Sequence, residues 1–481
     1  MIKSNGLATA NRTMLAQQWQ PAAQHYIDYL PLCPDVLRSS LLFNLAYCLQ
    51  RAPQLPLANG AIAVCGWELS HNPAGRVVTL AEAYAAQGQA VEIIGCLFTL
   101  WGGELWSPIR KLPFALHTFR VHDESRFLEQ AIEFVLHHPY QKIHLSKPRL
   151  PNLVLGCLYQ WIWGAEIVVD IDDEELAFSQ SPAAESWDFL QQQQRALPEL
   201  KYLHNGPWTR LAVAECLRWP VVSVSNPALQ ARYGGRLLPH VRDEKKFYYD
   251  QQRYQRSRAA LNVTDAQQVI MFCGTPRRYK GLLETAQAIA QLQRSDVIFM
   301  IVGEFDDPTL KQELLAIKGV EYRFLANQDY FTLPDVLAAA DICVLMQSAH
   351  NAVAEYQLPA KMMDAIGLGI TVLAQVTPAT AFLAEAKVIV PVTEANLVQQ
   401  LAASLQRSEA QRRSDIERQQ AYFQRHLSLR SVDSLPDIWS SLPQTHRPRL
   451  SAECREWLDN PTFETLFTWH SQKRPLVTVC D

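Results

Sequence analysis

Two successive series of alternating strands and helices constrain this chain more than any other feature of its sequence. In the first series, helical segments separate the apolar runs "AIAVCG", "AVEIIGCL", "KIHLS", "AEIVVDI" and "VVSVSN". In the second, they separate "VIMFCG", "DVIFMIVGE", "VEYRFLA", "DICVLMQ", "ITVLAQ" and "KVIVPV". Strands that alternate with helices form parallel sheets covered by helices on both faces. The sequence therefore predicts an α/β protein with two doubly wound domains.

A charged connector between the two series determines the predicted domain boundaries. We predict a helical extension over residues 1–54, a first α/β domain over 55–240, a linker over 241–262, a second α/β domain over 263–400, and a helical C-terminal segment over 401–481 that packs back on the body. Apolar residues within 13–52 have the spacing of a tetratricopeptide fragment, and a lone helix pair cannot bury its own apolar face. This extension either packs on the first domain or binds a protein partner.

The overall composition argues against several classes of function. The 481 residues carry a formal net charge of −4, which does not favour nucleic acid as a partner. The ten cysteines lack the spacing of zinc ligands and do not suggest a disulfide framework, so we expect a reduced, cytoplasmic location. We also expect neither metal nor cofactor. The stretch "WGGELWSPIRKLPFALHTFR" is interpreted as a loop of buried Trp and Leu with snorkelling cations. Peripheral contact of this stretch with a membrane or a glycan is the alternative.

A basic turn follows the first strand of the second series. In "CGTPRRYKG", Gly274 and Gly281 flank Arg277, Arg278 and Lys280. A turn between a strand and a helix binds anions through main-chain N–H groups and the positive end of the helix dipole. The positive charges of these three side chains would neutralise the negative charge of a bound diphosphate. The alternative is a solvated basic loop.

A second motif, "PAKMMDAIGLG", precedes the strand "ITVLA". Pro359 suits the first turn of a helix, and Lys361 follows near the N-terminus of that helix, which favours a phosphate group. Asp364 lies one turn further on, where its carboxylate can accept hydrogen bonds from a ribose diol.

These motifs resemble, in their order, the family-4 retaining glycosyltransferases of the GT-B fold, the group 1 type. "CGTPRRYKG" is similar to the family's glycine-rich turn, and "PAKMMDAIGLG" to its P-x-K-x-x-E motif, whose Glu falls on Asp364. "HNPAGRVVTL" resembles the family's glycine loop at Gly75, and "LPHVRDEKKF" its inter-domain link. The resemblance covers about residues 60–440. It implies two Rossmann-like domains that face each other across a cleft.

The resemblance also implies an activity and roles for particular residues. The activity is transfer of a sugar, of the hexosyl type and with retention, from a nucleotide-sugar donor to a glycan, lipid-linked or protein acceptor. The residues implied on the donor diphosphate are Arg277, Arg278, Lys280 and Lys361, and the residue implied on the ribose is Asp364. The catalytic candidates are Glu355 and His144, each close in sequence to a family position.

An acidic segment, "VVDIDDEEL", raises a second possibility for a site. Asp172 and Asp173 follow a strand of the first domain and, with Arg242 of the link, are acceptor-side candidates. Carboxylates at this spacing can hold Mg²⁺ or Mn²⁺, but the segment lies in the acceptor domain, so we expect no metal there.

The sequence leaves two alternatives to a glycosyltransferase. The first is a non-catalytic GT-B scaffold, a partner subunit of a glycosylation complex. The second is a dinucleotide oxidoreductase, which requires a G-x-G-x-x-G turn that "CGWELSHNPAG" does not supply.

Overall fold

The first of two parallel β-sheets lies in the N-terminal half of the chain. Its strands are β1 Ile62–Gly66, β2 Val91–Phe98, β3 Ala115–Val121, β4 Lys142–Ser146, β5 Glu166–Ile171, β6 Val222–Val224 and β7 Arg236–Leu237. They run in the order β3-β2-β1-β4-β5-β6-β7, with all pairs parallel. The computed structural model from which this fold is taken describes residues 5–52, 60–179, 183–193, 202–346, 352–433, 435–440, 442 and 452–474.

The second sheet repeats the arrangement. Its strands are β8 Gln268–Cys273, β9 Val297–Val302, β10 Glu321–Leu325, β11 Ile342–Leu345, β12 Thr371–Ala374 and β13 Val390–Pro391. The order is β10-β9-β8-β11-β12-β13, again with all pairs parallel. In each sheet the strand order reverses next to the first strand, between β1 and β4 and between β8 and β11. Ligands of doubly wound sheets bind beyond the carboxyl ends of the strands at such points.

Helices connect the strands and also extend the chain at both ends. Those associated with the first sheet are α1 Asn5–Leu15, α2 Trp19–Tyr29, α3 Asp35–Arg51, α4 Ala74–Ala86, α5 Phe127–His137, α6 Leu150–Leu158, α7 Glu175–Phe178, α8 Trp187–Gln192, α9 Gly206–Cys216 and α10 Pro227–Tyr233. The remainder are α11 Gln251–Ala260, α12 Leu282–Gln291, α13 Pro308–Ala316, α14 Leu333–Leu337, α15 Ala352–Tyr356, α16 Ala360–Gly367, α17 Ala381–Glu385, α18 Leu397–Leu405, α19 Glu409–His426, α20 Ala452–Asp459 and α21 Phe463–Lys473. None of the described helices is long and apolar enough to cross a membrane.

The helices at the two ends of the chain share one hydrophobic core with the first sheet. Tyr26 and Leu45, from α2 and α3, are fully buried in the same cluster as Ile143 of β4 and Phe467 of α21. The extension therefore buries its apolar face against the first sheet's layer of helices. It contains three helices, where the sequence predicted a helix pair.

Two elements differ from the sequence-based expectation. The segment "ALHTFRV", interpreted as part of a loop, forms edge strand β3, and its residues are mostly half-buried. An edge strand with one solvated face alternates polar and apolar residues, so it lacks the continuous apolar run of its neighbours. The charged connector contains helix α11, which Arg258 anchors by donating to Asp341 Oδ2 at 3.0 Å. The domain boundaries themselves stay predictions.

Candidate functional site

The basic turn lies at the carboxyl end of β8, as the sequence predicted. Gly274 follows the strand with φ of 123°, and Gly281 precedes α12 with φ of 72°. A Cβ atom at Gly281 would lie 2.3 Å from Met346 Cβ and 2.4 Å from its carbonyl oxygen. Only glycine can therefore bring this turn so close to the end of β11, and the close approach fixes where Lys280 projects.

Two lysine ammonium groups meet beside Gly274. Lys280 Nζ donates to the carbonyl oxygen of Thr275 at 2.8 Å. Lys361 Nζ, from the first turn of α16, lies 4.0 Å from the centroid of the Phe272 ring. This nitrogen is buried and has no hydrogen-bond partner among the described residues. A Cβ atom at Gly274 would lie 3.7 Å from it, so the glycine leaves open the space next to the ammonium group.

The electrostatic environment of Lys280 and Lys361 favours binding of an anion next to their ammonium groups. Burial, together with the positive charges of Lys361 and Arg277, lowers the pKa of Lys280 to about 6. Burial lowers the pKa of Lys361 to about 8. An opposite charge nearby stabilises the protonated form of each lysine. A bound diphosphate would supply that charge and replace the hydration that both groups lose on folding.

The side chains of the two arginines of the turn contact different residues. Arg278 donates to Glu313 at 2.6 and 2.8 Å and to Asp307 at 3.2 Å, so α13 holds its guanidinium away from the lysines. Its predicted contact with the diphosphate does not fit this geometry. Arg277 lies 3.9 Å from Asp306, and its charge contributes to the lowered pKa of Lys280. Arg277 therefore remains a candidate for the diphosphate.

Asp364 is buried and already has a charged partner. Arg242 Nε donates to its Oδ1 at 2.5 Å, and a second guanidinium nitrogen of Arg242 donates to Thr79 Oγ1 of α4 at 3.0 Å. Arg242 therefore links the two sheets through their helices. Its predicted contact with an acceptor does not fit this burial, and a ribose could bind Asp364 only by sharing its carboxylate with Arg242.

The two catalytic candidates occupy very different positions. Glu355 is exposed on α15, a helix that begins directly after the undescribed residues 347–351. His144 is fully buried in β4, and its ring nitrogens lie 2.9 Å from Tyr84 Oη and 3.0 Å from Ser223 Oγ. Burial lowers the pKa of His144 to about 4. The predicted catalytic role of His144 does not fit this position. The ring is buried in the core, and both of its nitrogens already form hydrogen bonds within the protein.

The acidic segment after β5 surrounds a lysine. Lys147 Nζ, from the loop after β4, lies 2.7 Å from Asp172, 2.6 Å from Asp173 and 3.3 Å from Glu175. We refer to these four residues as the Lys147 cage. Burial opposes the charge on Lys147, but the three carboxylates outweigh it and raise the lysine's pKa. The three carboxylates have the spacing of a metal site, and the ammonium group lies among them.

The first sheet's loops reach the second domain close to the lysine pair. Gln357 donates to Asp173 at 3.0 Å, and Asn226 donates to the carbonyl oxygen of Tyr356 at 2.8 Å. The negative charge of Asp173 also acts on Lys280. The acceptor-side candidate Asp173 therefore lies at the border between the two domains.

Gly75, which the sequence placed in a glycine loop after β1, lies in the first turn of α4 and has open space beside it. A Cβ atom at Gly75 would meet no atom within 4 Å. The next residue, Arg76, is buried and donates to both carboxylate oxygens of Asp170 at 2.8 Å. Asp170 therefore belongs to a buried ion pair and not to a metal site.

Lys147 and Arg76 were missed by the sequence-based prediction. A signal for Lys147 exists: "SKPRLP" and "DIDDEEL" follow adjacent parallel strands, whose carboxyl ends meet at one edge. Opposite charges placed there are expected to pair. No comparable local signal marks the partner of Arg76, which is 94 residues away.

Comparison with solved structures supports the arrangement of the two sheets. HepE of Anabaena, solved with UDP and glucose, is 16% identical, with a TM-score of 0.58 over 80% of this chain and 100% of its own. Sucrose-phosphate synthase of Thermosynechococcus elongatus is 17% identical, with a TM-score of 0.57 over 80% and 99%. A glycosyltransferase of Rickettsia africae is 12% identical, with a TM-score of 0.58 over 80% and 98%.

In sequence, no protein-family model and no curated protein matches this chain. At these identities the structural likeness defines the fold alone. The two parallel sheets and their strand orders agree with the same assignment. The chain thus has the GT-B fold of two Rossmann-like domains that its motifs predicted, with a helical extension added at the N-terminus.

Proposed function

We propose that this protein is a glycosyltransferase that transfers a sugar from a nucleotide-sugar donor to an acceptor with retention. The observation that carries the proposal is the buried Lys361 Nζ, which has no hydrogen-bond partner in the described part of the chain and lies near Gly274 and Lys280. An unpaired buried ammonium group is costly unless a ligand completes it. A UDP-sugar is a suitable ligand for this site, because HepE, which has a similar fold, was solved with UDP-glucose and with UDP and glucose.

The chemistry of the proposed reaction needs stabilisation of the departing diphosphate. Fixed positive groups in a site that excludes water stabilise charge as it develops on a leaving group. Lys280, Lys361 and Arg277 fill this role in our proposal, and Glu355 remains the candidate for contact with the sugar. Transfer of a hexosyl group and a cytoplasmic location are part of the same proposal. Cys65, Cys96 and Cys157 are buried thiols, which suits a reduced compartment.

The test is turnover of a panel of nucleotide sugars. The folded protein is incubated with UDP-, GDP- and ADP-hexoses together with glycan, lipid-linked and peptide acceptors, and release of the nucleoside diphosphate is measured. Proton NMR of the sugar product then reports its anomeric configuration. We expect one donor to be consumed and its configuration retained. Inversion would remove retention from the proposal, and an absence of turnover with every donor would contradict catalysis.

The scaffold alternative is favoured by one observation, the burial of His144 within β4. A scaffold could bind nucleoside diphosphate through the two lysines without turning over any donor. Binding without turnover, even with all three classes of acceptor present, would therefore support the scaffold.

A further inference from the structure

A cluster of aromatic and imidazole rings lies at the carboxyl edge of the first sheet. Trp67 follows β1 directly, and Trp101 lies three residues beyond the end of β2. The ring centroid of Trp67 is 5.6 Å from that of Trp101 and 5.9 Å from that of His71. His71 stacks on Trp101 at 4.5 Å with an interplanar angle of 20°, and His204 lies 5.3 Å from Trp101. We call these four residues the ring cluster.

Polar atoms of the ring cluster and of the neighbouring Ser70 have no hydrogen-bond partners among the described residues. Trp67 Nε1, Ser70 Oγ, His71 Nδ1 and His204 Nδ1 are all buried, and none has a hydrogen-bond partner in the described part of the chain. Trp67 is 5% exposed and Ser70 is 7% exposed. The nearest carboxylate oxygen to His71 Nδ1, on Glu68, is 3.9 Å away, beyond hydrogen-bond reach. Buried polar atoms are nearly always paired, so four unpaired atoms in one place point to a partner beyond the described residues, and a bound ligand can supply it.

The ring cluster is connected to the border of the donor site. The guanidinium of Arg149 lies 5.1 Å from the ring centroid of Trp67, and Arg149 Nε donates to Glu175 at 2.6 Å. Glu175 is a member of the Lys147 cage, which also accepts a hydrogen bond from Gln357 of the second domain. A molecule on the ring cluster would therefore share the edge of the first sheet that faces the second domain.

The chemistry of the cluster selects among ligand classes. Glu68 is fully buried next to it and accepts hydrogen bonds from the main-chain N–H groups of Ser70 and Phe98, so its carboxylate disfavours an anion. An alkyl chain would leave the ring nitrogens and the hydroxyl unpaired. A pyranose presents an apolar C–H face that packs on aromatic rings and hydroxyl groups that both donate and accept.

We propose that the ring cluster binds a pyranose ring of the acceptor, which packs on the aromatic rings and pairs with their unpartnered polar atoms. This inference rests on the proposed function, because it assigns the acceptor class of the same enzyme. The acceptor is then a sugar or the sugar end of a glycan. The same edge of the first sheet carries the Lys147 cage, which contacts Gln357 of the second domain.

The experiment titrates methyl pyranosides of glucose, galactose, mannose and N-acetylglucosamine into the full chain, followed by saturation-transfer NMR. Two variants test the cluster: Trp101→Leu removes the stacked ring, and His71→Phe keeps the stack but removes the unpaired nitrogen. Trp469→Phe is the matched control, because Trp469 stacks on Trp161 in a separate aromatic group. Melting temperatures confirm folding of each variant.

We expect at least one methyl pyranoside to bind, with affinity lowered tenfold or more in both cluster variants and unchanged in Trp469→Phe. Binding of none, or binding by both cluster variants as tight as by the wild type, would overturn the inference. So would binding of octyl phosphate in place of every pyranoside, because the site would then take a lipid. UDP is titrated in parallel. In the wild-type protein, failure to bind UDP alone would contradict the donor site, and failure to bind any pyranoside alone would contradict the ring cluster.

Discussion

At the scale of single residues, Lys280 gives the first prediction. Lys280→Ala removes one cation from the proposed diphosphate site, so turnover should fall roughly 30- to 1000-fold, the range for loss of a group that stabilises a leaving group. Arg278→Ala is the matched control on the same turn. Its guanidinium is held by Glu313 and Asp307, so turnover should stay near the wild-type value. Equal turnover in Lys280→Ala and wild type, with matching melting temperatures, would contradict the diphosphate role.

Lys147 gives a second prediction, on metal removal. Its ammonium group lies among the three carboxylates that have metal-like spacing, so an ion would have to displace a paired charge. Turnover of the best donor should therefore survive incubation with EDTA. Activity that is lost in EDTA and restored by Mn²⁺ would show that the cage, or another site, holds a required metal.

At the scale of elements, the turn between β8 and α12 depends on Gly281. In Gly281→Ala the new methyl group would meet the main chain of Met346, in addition to the strain of a positive φ. Gly319→Ala is a matched control, with φ of 79° and no atom within 4 Å of the added Cβ. The positive φ alone costs roughly 1–2 kcal/mol. We expect urea unfolding to give a larger loss of stability for Gly281→Ala. Equal losses would mean that the turn can move away from β11.

The helical extension gives the second prediction at this scale. Deleting residues 1–52 removes buried side chains such as Leu45 and uncovers the apolar surface that they contact on the first sheet's side. Solubility should fall, because a large exposed apolar patch promotes association. UDP affinity should not change, because Lys280 and Lys361 belong to the second sheet's layer. A soluble, folded deletion that no longer binds UDP would place the extension within the donor site.

The elements also separate what the sequence could predict from what it could not. Buried central strands such as β8 and β9 were found from their continuous apolar runs. Edge strand β3 was missed because alternation in "ALHTFRV" is a weaker signal. The turn of Lys280 was located from local glycines. The contact between Arg242 and Asp364 was not, because the two are 122 residues apart and meet only after both sheets have formed.

At the scale of the whole molecule, the candidate site belongs to both domains. Arg242 joins Thr79 to Asp364, and the Lys147 cage contacts Gln357 across the border. Charged pairs with excluded water interact more strongly than surface pairs. The lysines of the second domain therefore take part of their electrostatic environment from the first domain, and donor binding should respond to the relative position of the two sheets.

The most direct test of the account is calorimetric titration with UDP-glucose, whose diphosphate diester keeps a constant charge between pH 6 and 8.5. In the free protein the pKa of Lys280 is about 6, and an anion raises it, so binding at pH 7.5 should take up about one proton. Affinity should be highest near pH 6 and fall as pH rises, since more of the unbound Lys280 is then neutral. Lys361→Ala should weaken binding at every pH, and Arg278→Ala should not. Binding with no proton uptake and equal affinity in all three proteins would contradict the assignment of the lysine pair as the diphosphate site.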